Sequence, residues 1–156
     1  MAEYTATIRW QLDRESDFLK NRYSRGHIWS FDGGIDVTAS ASPHVVPLPM
    51  SVEKAVDPEE SFIASVASCH MLWFLSIAAQ KGFVVKTYID DASGIMRKNS
   101  EGKMAITSIM LCPRTKFSNE KLPTLSELES LHHAAHESCF IANSIKSEIH
   151  CNPKLE

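Results

Sequence analysis

The sequence of 156 residues lacks an excess of either charge, since its formal net charge is −3 at pH 7. Proteins that bind nucleic acid or an anionic membrane surface usually carry a basic patch, so we expect neither partner. The first residues, Met-Ala-Glu-Tyr-Thr-Ala, lack the basic segment and apolar core of a signal peptide. We therefore expect a cytoplasmic location, where the four cysteines rest as thiols.

The sequence also lacks CxxC and HExxH motifs, internal repeats and low-complexity tracts. No such motif supports a metal site. The composition, 44% hydrophobic and 22% charged, is typical of a folded globular protein and argues against disorder. The chain length predicts a single domain over residues 1–156.

What the sequence does contain is a charge-free run over residues 62–79. Asp57 before Pro58, with Glu60 three residues on, is typical of a helix N-terminus, and Gly82 is a typical stop. The run is long enough to span a membrane. Polar residues such as Ser65 and His70 interrupt it and no basic cluster flanks it, so we expect a buried core helix.

Alternating and turn-forming residues predict the remaining elements. Strands are expected over 4–12, 23–31, 35–39, 84–96, 104–112 and 145–149, and a proline-containing loop over 42–56. Thr124 and Glu127 form a second capping box that opens a helix ending near Phe140. The order β-β-β-α-β-β-α-β predicts an α+β domain with sheets packed around two helices.

Each predicted helix carries a thiol: Cys69 lies in the first and Cys139 near the end of the second. Buried cysteines are usually inert, but two thiols in helices that pack together could form a reversible pair. A metal site is an alternative, with His132, His136 and Cys139 as ligands and Cys69 or His70 as a fourth.

The other two thiols, Cys112 and Cys151, belong to no recognisable pattern, so we interpret both as structural.

Two segments resemble the signatures of the OsmC/Ohr family of thiol peroxidases, the osmotically inducible protein C and organic hydroperoxide resistance proteins. The first is Pro58-Glu59-Glu60 with Cys69 ten residues after Glu59. The second is Ala135-His136-Glu137-Ser138-Cys139, followed by Asn143. The resemblance covers most of the chain, including the N-terminal strands that end in Asp32-Gly33.

The resemblance implies an OsmC/Ohr-like homodimer whose two long central helices are wrapped by antiparallel β-sheets from both chains. It implies reduction of organic hydroperoxides without a cofactor, with a small-molecule or lipoyl dithiol as reductant. By position, Cys69 matches the peroxidatic thiol, Cys139 the resolving thiol and Glu59 the family's carboxylate. Arg25 is the best match for an N-terminal arginine, and Arg22 is the alternative.

The residues themselves support this chemistry, because attack on a peroxide requires a thiolate. Cys69 lies too far into its helix to use the helix dipole, and apolar neighbours disfavour its thiolate, so a cation such as an arginine is needed. The apolar side chains and one histidine around the thiols would favour organic hydroperoxides. The predicted substrate-binding residues are Phe62, Val66, Trp73 and His136.

Glu59 precedes Cys69 by ten residues, which is about 15 Å along a helix and beyond the reach of a side chain. Glu59 therefore either supports the first helical turn or serves the Cys69 of a partner chain, where it could orient Arg25.

Two alternative functions remain open. One is a non-catalytic or metal-binding domain on the same fold. The other is a hydrolase that uses Cys69 with His136, although no oxyanion-hole motif supports it.

Overall fold

A computed structural model describes residues 1–118 and 120–156. Contacts within it divide the chain into two compact units, Met1–Ser61 and Phe62–Glu156, which we describe separately. The single domain expected from chain length stays a prediction.

The first unit contains a three-stranded antiparallel meander. Its strands are β1 (Ala6–Arg9), β2 (His27–Phe31) and β3 (Asp36–Ala39), paired in that order. Gly34, with φ of +78°, forms the turn into β3, a conformation that glycine adopts without strain. The three predicted strands are present but shorter, and the charged segment after β1 contains a short helix, α1 (Glu15–Phe18).

Helix α2 (Pro58–Gln80) begins at the end of the first unit and continues through the second. Its start is capped reciprocally: the Glu60 amide donates to Asp57 Oδ1 at 2.8 Å, and the Asp57 amide donates to Glu60 Oε1 at 2.9 Å. Its end is closed at Gly82, where φ is +76°, and the Phe83 amide returns to the Ala78 carbonyl. The predicted helix is confirmed at both ends.

The second unit contains two three-stranded sheets. The strands are β4 (Val85–Asp90), β5 (Ser93–Lys98), β6 (Met104–Leu111), β7 (Pro113–Phe117), β8 (Glu148–Cys151) and β9 (Lys154–Leu155). One sheet has the order β4-β7-β9 and the other β5-β6-β8. The antiparallel pairs β4–β7 and β5–β6 are extended by the parallel pairs β7–β9 and β6–β8.

The prediction of one strand over 84–96 is wrong, because the chain changes sheet after Asp90. The chain passes between the two sheets at two places, after Asp90 and at Cys112. The Asp90 carboxylate accepts a hydrogen bond from the Cys112 amide at 2.7 Å, which links these two places. Pro113 begins β7 rather than ending a strand, since the first residue of a strand tolerates a missing N–H. The two-residue strand β9 has no sequence signal of its own.

Helix α3 (Leu125–Ser138) has the predicted capping box between Thr124 and Glu127. It ends at Cys139, and a 3-10 turn over Ala142–Ser144 leads towards β8. With α3 in place, the α+β architecture predicted from the sequence is confirmed.

One face of α2 forms the core of the second unit. Its buried residues are Val66, His70, Phe74 and Ala78. Phe74 and Ala78 pack with α3, whereas Val66 packs on Ile109 and Leu111 of β6. The opposite face is open, and Leu72 is 60% exposed, so the helix is not buried all round as predicted.

By length and composition alone, α2 could cross a membrane, but the core helix of a soluble protein meets the same criterion.

Candidate active site

Cys69 lies beside an apolar cavity of about 550 Å³ in the second unit. Its thiol is half-buried, so it is sheltered from bulk water yet reachable. The cavity is lined by small polar and large apolar side chains from α2 and from the segment after α3. They are Ser65, Ser68, Cys69, Leu72, Trp73, Ser76, Phe140 and Ile141.

The structure brings Cys139 to Cys69. Cys139 is fully buried at the C-terminal end of α3, and its side chain lies next to that of Cys69. Both are free thiols. Burial, followed by the neighbouring Cys69 thiol, raises the pKa of Cys139 to about 11. Cys139 is therefore protonated at neutral pH, whereas Cys69 has the more accessible sulfur.

The turn after α3 holds the Cys139 thiol in place. The Ala142 amide donates to Cys139 Sγ at 3.4 Å, and the Asn143 amide donates to the Cys139 carbonyl at 3.0 Å. The Asn143 side chain also donates to the Glu137 carbonyl at 3.0 Å. The Ala142 amide stabilises negative charge on the sulfur, whereas the Asn143 hydrogen bonds fix the backbone of the turn, so the same turn both positions the thiol and favours its deprotonation during reaction.

Trp73 and Phe140 pack edge to face beside the thiols, with ring centroids 5.4 Å apart and an interplanar angle of 84°. Trp73 was predicted to contact substrate, and it does line the cavity. Leu72 also lines the cavity. Phe140 and Ile141 were not predicted, and the only sequence signal for them was their position within two residues of Cys139.

Three other predicted substrate-binding residues do not line this cavity. Val66 is fully buried against β6, and Phe62 packs on the same cluster. Because successive helical residues turn by about 100°, Val66 faces the core while Cys69 faces the cavity. His136 lines a different cavity, with His132 and Cys151. These three residues therefore lie outside the cavity beside Cys69, and their contact with substrate stays a prediction.

Arg25 lies in the first unit, where its half-buried side chain lines an aromatic cavity of about 520 Å³. Its guanidinium stacks over the Tyr23 ring, 3.7 Å from the centroid. It donates to Asn21 Oδ1 at 2.6 Å and to the Tyr23 carbonyl. Within the described residues, no carboxylate lies at ion-pair distance from the Arg25 guanidinium, so no negative side chain neutralises its charge.

The other two charged candidates also belong to the first unit. Arg22 is exposed, and its side chain does not line the aromatic cavity. Glu59 is half-buried on the first turn of α2. Its Oε2 is shielded from solvent and has no hydrogen-bond partner among residues 1–118 and 120–156. A shielded carboxylate oxygen without a donor is costly, so this position favours a cationic partner.

The metal ligand set considered from helical spacing is not assembled. Within the part of the chain that the structure describes, the group of donors within coordination reach is His70, His132 and Cys151. His70 Nε2 and His132 Nδ1 are 2.9 Å apart, and the rings are stacked. Cys139 instead lies next to Cys69.

The fold and the adjoining thiols define a class of α+β proteins in which two helices present a cysteine pair. The sequence profile of OsmC-like proteins matches residues 51–154, more than half of the chain. The chain therefore belongs to the OsmC-like family. No curated protein matches the sequence.

Solved structures share this fold over nearly the whole chain. An OsmC-like protein of unknown function from Vibrio cholerae is 52% identical, with a TM-score of 0.95, over 98% of this chain and 99% of its own. An organic hydroperoxide resistance protein from Elizabethkingia anophelis has a TM-score of 0.71 at 13% identity, covering 100% and 96%. The organic hydroperoxide resistance protein OhrB of Bacillus subtilis has a TM-score of 0.64 at 16% identity, covering 99% and 98%.

The buried histidine pair predicts acid sensitivity. Burial, then the charge of His136, lowers the pKa of His70 to about 4. Burial, then His70, lowers the pKa of His132 to about 3. Between about pH 6.5 and pH 4 the unfolded chain binds protons that the folded chain does not. The free energy of unfolding should therefore fall with falling pH, by about 1.4 kcal/mol per pH unit for each such histidine.

The measurement is urea unfolding at several pH values in a buffer with a chelator. His132→Gln should flatten the slope of the unfolding free energy against pH, whereas His133→Gln, at an exposed position on the same helix, should leave it unchanged.

Asp90 opposes the effect of the histidines at the acid end of this range, because burial raises its pKa. The pKa values of Tyr88 and Cys151 are raised by burial and lie above this window. Equal slopes in the parent and His132→Gln would contradict the prediction.

Proposed function

We propose that this protein is a thiol-dependent peroxidase that reduces organic hydroperoxides through Cys69 and Cys139. The observation that carries the proposal is the pair of neighbouring free thiols, of which Cys69 is half-buried and borders an apolar cavity and Cys139 is fully buried. Membership of the OsmC-like family supports it, as does the fold shared with organic hydroperoxide resistance proteins. A cytosolic location, where thiols are kept reduced, suits this chemistry.

In the first step the Cys69 thiolate attacks one oxygen of the hydroperoxide. The S–O bond forms as the O–O bond breaks, and the alkoxide leaves and takes up a proton to become an alcohol. Cys69 is then a sulfenic acid. In the second step the Cys139 sulfur attacks the Cys69 sulfur, so that an S–S bond forms, the S–O bond breaks and water leaves with the Cys139 proton. A dithiol reductant restores both thiols by exchange.

The environments of the two sulfurs suit these separate roles. Cys139 has no exposed surface and a raised pKa, so it is a poor first nucleophile. It needs only to react with a neighbour that is already oxidised. Cys69 borders the cavity and can meet a substrate.

The cavity suits a substrate with an apolar carbon group. Leu72, Trp73, Phe140 and Ile141 provide apolar surface, and nearby serines add a few hydroxyl groups. Burying carbon surface there contributes about 25 cal/mol per Å². Hydrogen peroxide has no such surface, so the cavity favours organic hydroperoxides over it.

Arg25 is our candidate for the cation that stabilises the thiolate and holds the peroxide oxygens. A guanidinium stays charged at neutral pH and presents several donors in a fixed plane. Arg25 is partly desolvated, held over Tyr23 and free of a carboxylate partner within the described residues, whereas Arg22 is exposed. These features favour Arg25 over Arg22.

We also propose a homodimer, in which a second copy covers the open face of α2. Leu72 is 60% exposed and Phe140 is 66% exposed, and both border the cavity. An isologous interface would bring the start of α2 in one chain towards the middle of α2 in the other chain. Glu59, with its unpartnered oxygen, would then serve the Cys69 site of the partner by holding Arg25.

Substituting each thiol separates the two roles. Cys69→Ser should abolish consumption of cumene hydroperoxide, because no attacking sulfur remains. Cys139→Ser should turn over once and then gain two oxygens as a sulfinic acid, since nothing traps the sulfenic acid. The parent should lose two hydrogens on oxidation. Intact-protein mass spectrometry distinguishes these products.

The matched control is Cys112→Ser, a half-buried thiol outside the cavity, which should behave as the parent. Full peroxide consumption by Cys69→Ser would rule out its role as the attacking thiol.

Changing the arginine tests the cation. Arg25→Ala should lower kcat/KM for cumene hydroperoxide by about 100-fold, as expected for losing a donor that stabilises developing charge. Arg25→Lys keeps the charge without the planar fork and should recover part of the loss. Arg22→Ala should match the parent. If Arg22→Ala is impaired and Arg25→Ala is not, the role belongs to Arg22.

Mixed dimers test the proposed role of Glu59 across the interface. A dimer of one Glu59→Ala chain and one Cys69→Ser chain keeps one complete site if Glu59 serves its partner. It should then show about half of the parental activity, because one of two sites is intact. Activity no higher than in the Glu59→Ala homodimer would place Glu59 within its own chain or outside the reaction.

A further inference from the structure

Three donor side chains from three elements converge in the interior of the second unit. His70 comes from α2, His132 from α3 and Cys151 from β8. His70 Nε2 lies 2.9 Å from His132 Nδ1 and 4.0 Å from Cys151 Sγ. One donor atom from each of the three residues lies within 4.8 Å of the other two. The proposed peroxidase chemistry uses none of them.

Hydrogen bonding within the chain does not account for this cluster. His70 is 1% exposed and His132 is 2% exposed, and one bond joins them. The second ring nitrogens, His70 Nδ1 and His132 Nε2, are shielded and have no partner among the described residues. These two nitrogens are not the atoms that face one another and Cys151, so an ion held by the facing atoms would leave them for hydrogen bonds to outer partners, which commonly orient metal-ligating imidazoles.

Strand β4 also carries shielded polar atoms that have no hydrogen-bond partner in the described parts of the chain. These atoms are the Tyr88 hydroxyl and Asp90 Oδ2. The Tyr88 ring lies 6.3 Å from that of His132, and Asp90 and Cys151 both act electrostatically on Tyr88. A hydroxyl and a carboxylate near the donors provide the kind of outer partners that commonly surround metal ligands.

The donor types select the ion. Two imidazoles and one thiol suit zinc, which binds histidine nitrogen at about 2.0 Å and cysteine sulfur at about 2.3 Å. Magnesium and calcium prefer oxygen ligands, and the triad offers none. Tetrahedral zinc places such ligand atoms about 3.3–3.6 Å apart, so the two closest separations need to change by about 0.5 Å.

The cluster has an entrance. A cavity of about 220 Å³ is lined by His132 and Cys151 together with Glu129, His133 and His136. An ion could reach the donors through this cavity, and a water or a rim side chain could complete its coordination. Burial keeps the pKa values of both imidazoles low, so both rings are neutral at pH 7, as ligation requires.

We propose that His70, His132 and Cys151 bind one zinc ion, with the fourth coordination position facing this cavity. Binding replaces the S–H bond of Cys151 by a Zn–S bond and releases one proton, and no electron is transferred. The site is separate from the Cys69–Cys139 pair. Cys69 and His70 are consecutive on α2, and their side chains diverge by about 100° around the helix axis.

Cobalt(II) reports on the site directly, because thiolate ligation gives a near-ultraviolet charge-transfer band and tetrahedral geometry gives strong visible bands. We expect one equivalent of Co²⁺ to produce both in the reduced, metal-free full chain, and Zn²⁺ to displace it. Cys151→Ser should lose the charge-transfer band. Its zinc affinity, measured by competition with a chromophoric chelator, should fall by more than about 100-fold, since even groups that only orient a ligand contribute 10–100-fold.

Two controls retain the triad. Cys112→Ser removes the thiol that follows β6, and the double variant Cys69→Ser with Cys139→Ser removes the proposed peroxidase thiols. Both should keep the cobalt bands. The assignment is overturned if the parent gives no charge-transfer band, if folded Cys151→Ser keeps it, or if either control loses it. Loss in the double variant would place the ion at the thiol pair instead.

A measurement on the parent chain covers the case in which Cys151→Ser does not fold. Zn²⁺ should slow alkylation of Cys151 in proportion to the fraction of chains that hold the ion, and leave Cys112 unaffected, as mapped by peptide mass spectrometry. Equal alkylation rates of Cys151 with and without one equivalent of Zn²⁺ overturn the proposal.

Discussion

The rotation of about 100° between consecutive helical residues is the constraint on which the rest of this structure depends. In α2 it separates two neighbours with different chemistry. Cys69 faces the apolar cavity, while His70 belongs to the buried stripe that packs on α3 and the sheets. Because the run from Phe62 to Ala79 has no formal charge, almost any face of the helix could be buried. The packing of α3 and β6 decides which one is.

Burial has the same physical effect at both thiol sites. A low-dielectric interior disfavours charge, so it raises the pKa of Cys139 to about 11 and that of Cys151 to about 12. It also keeps His70 and His132 neutral. Neither buried thiol ionises on its own at neutral pH. Under the two proposals, a cation stabilises the thiolate that is needed: the Arg25 guanidinium acts on Cys69, while Cys139 keeps its proton until it attacks, and zinc acts on Cys151.

The sequence predicted the helices well because their signals are local. Reciprocal capping by Asp57 and Glu60, and the glycine at position 82, define α2 within a few residues. The sheet change after Asp90 was missed because it follows from long-range pairing: β4 pairs with β7 and β5 with β6, and the Asp90 carboxylate bonds to the Cys112 amide 22 residues away. Cys151 was interpreted as structural for the same reason, since only the parallel pairing of β8 with β6 brings it to His70. Val66 was placed at the substrate by spacing alone.

The open face of α2 links substrate binding to assembly. Ser68, Leu72 and Ser76 are exposed on this face and also line the cavity beside Cys69. If a second copy covers the face, the same contact that stabilises the dimer also encloses the substrate cavity and removes water from the thiols. Dissociation would then open the cavity and weaken the electrostatic stabilisation of the thiolate, because charges interact more weakly in water. Peroxidase activity should therefore depend on dimer formation even if no residue of one chain contributes to the active site of the other.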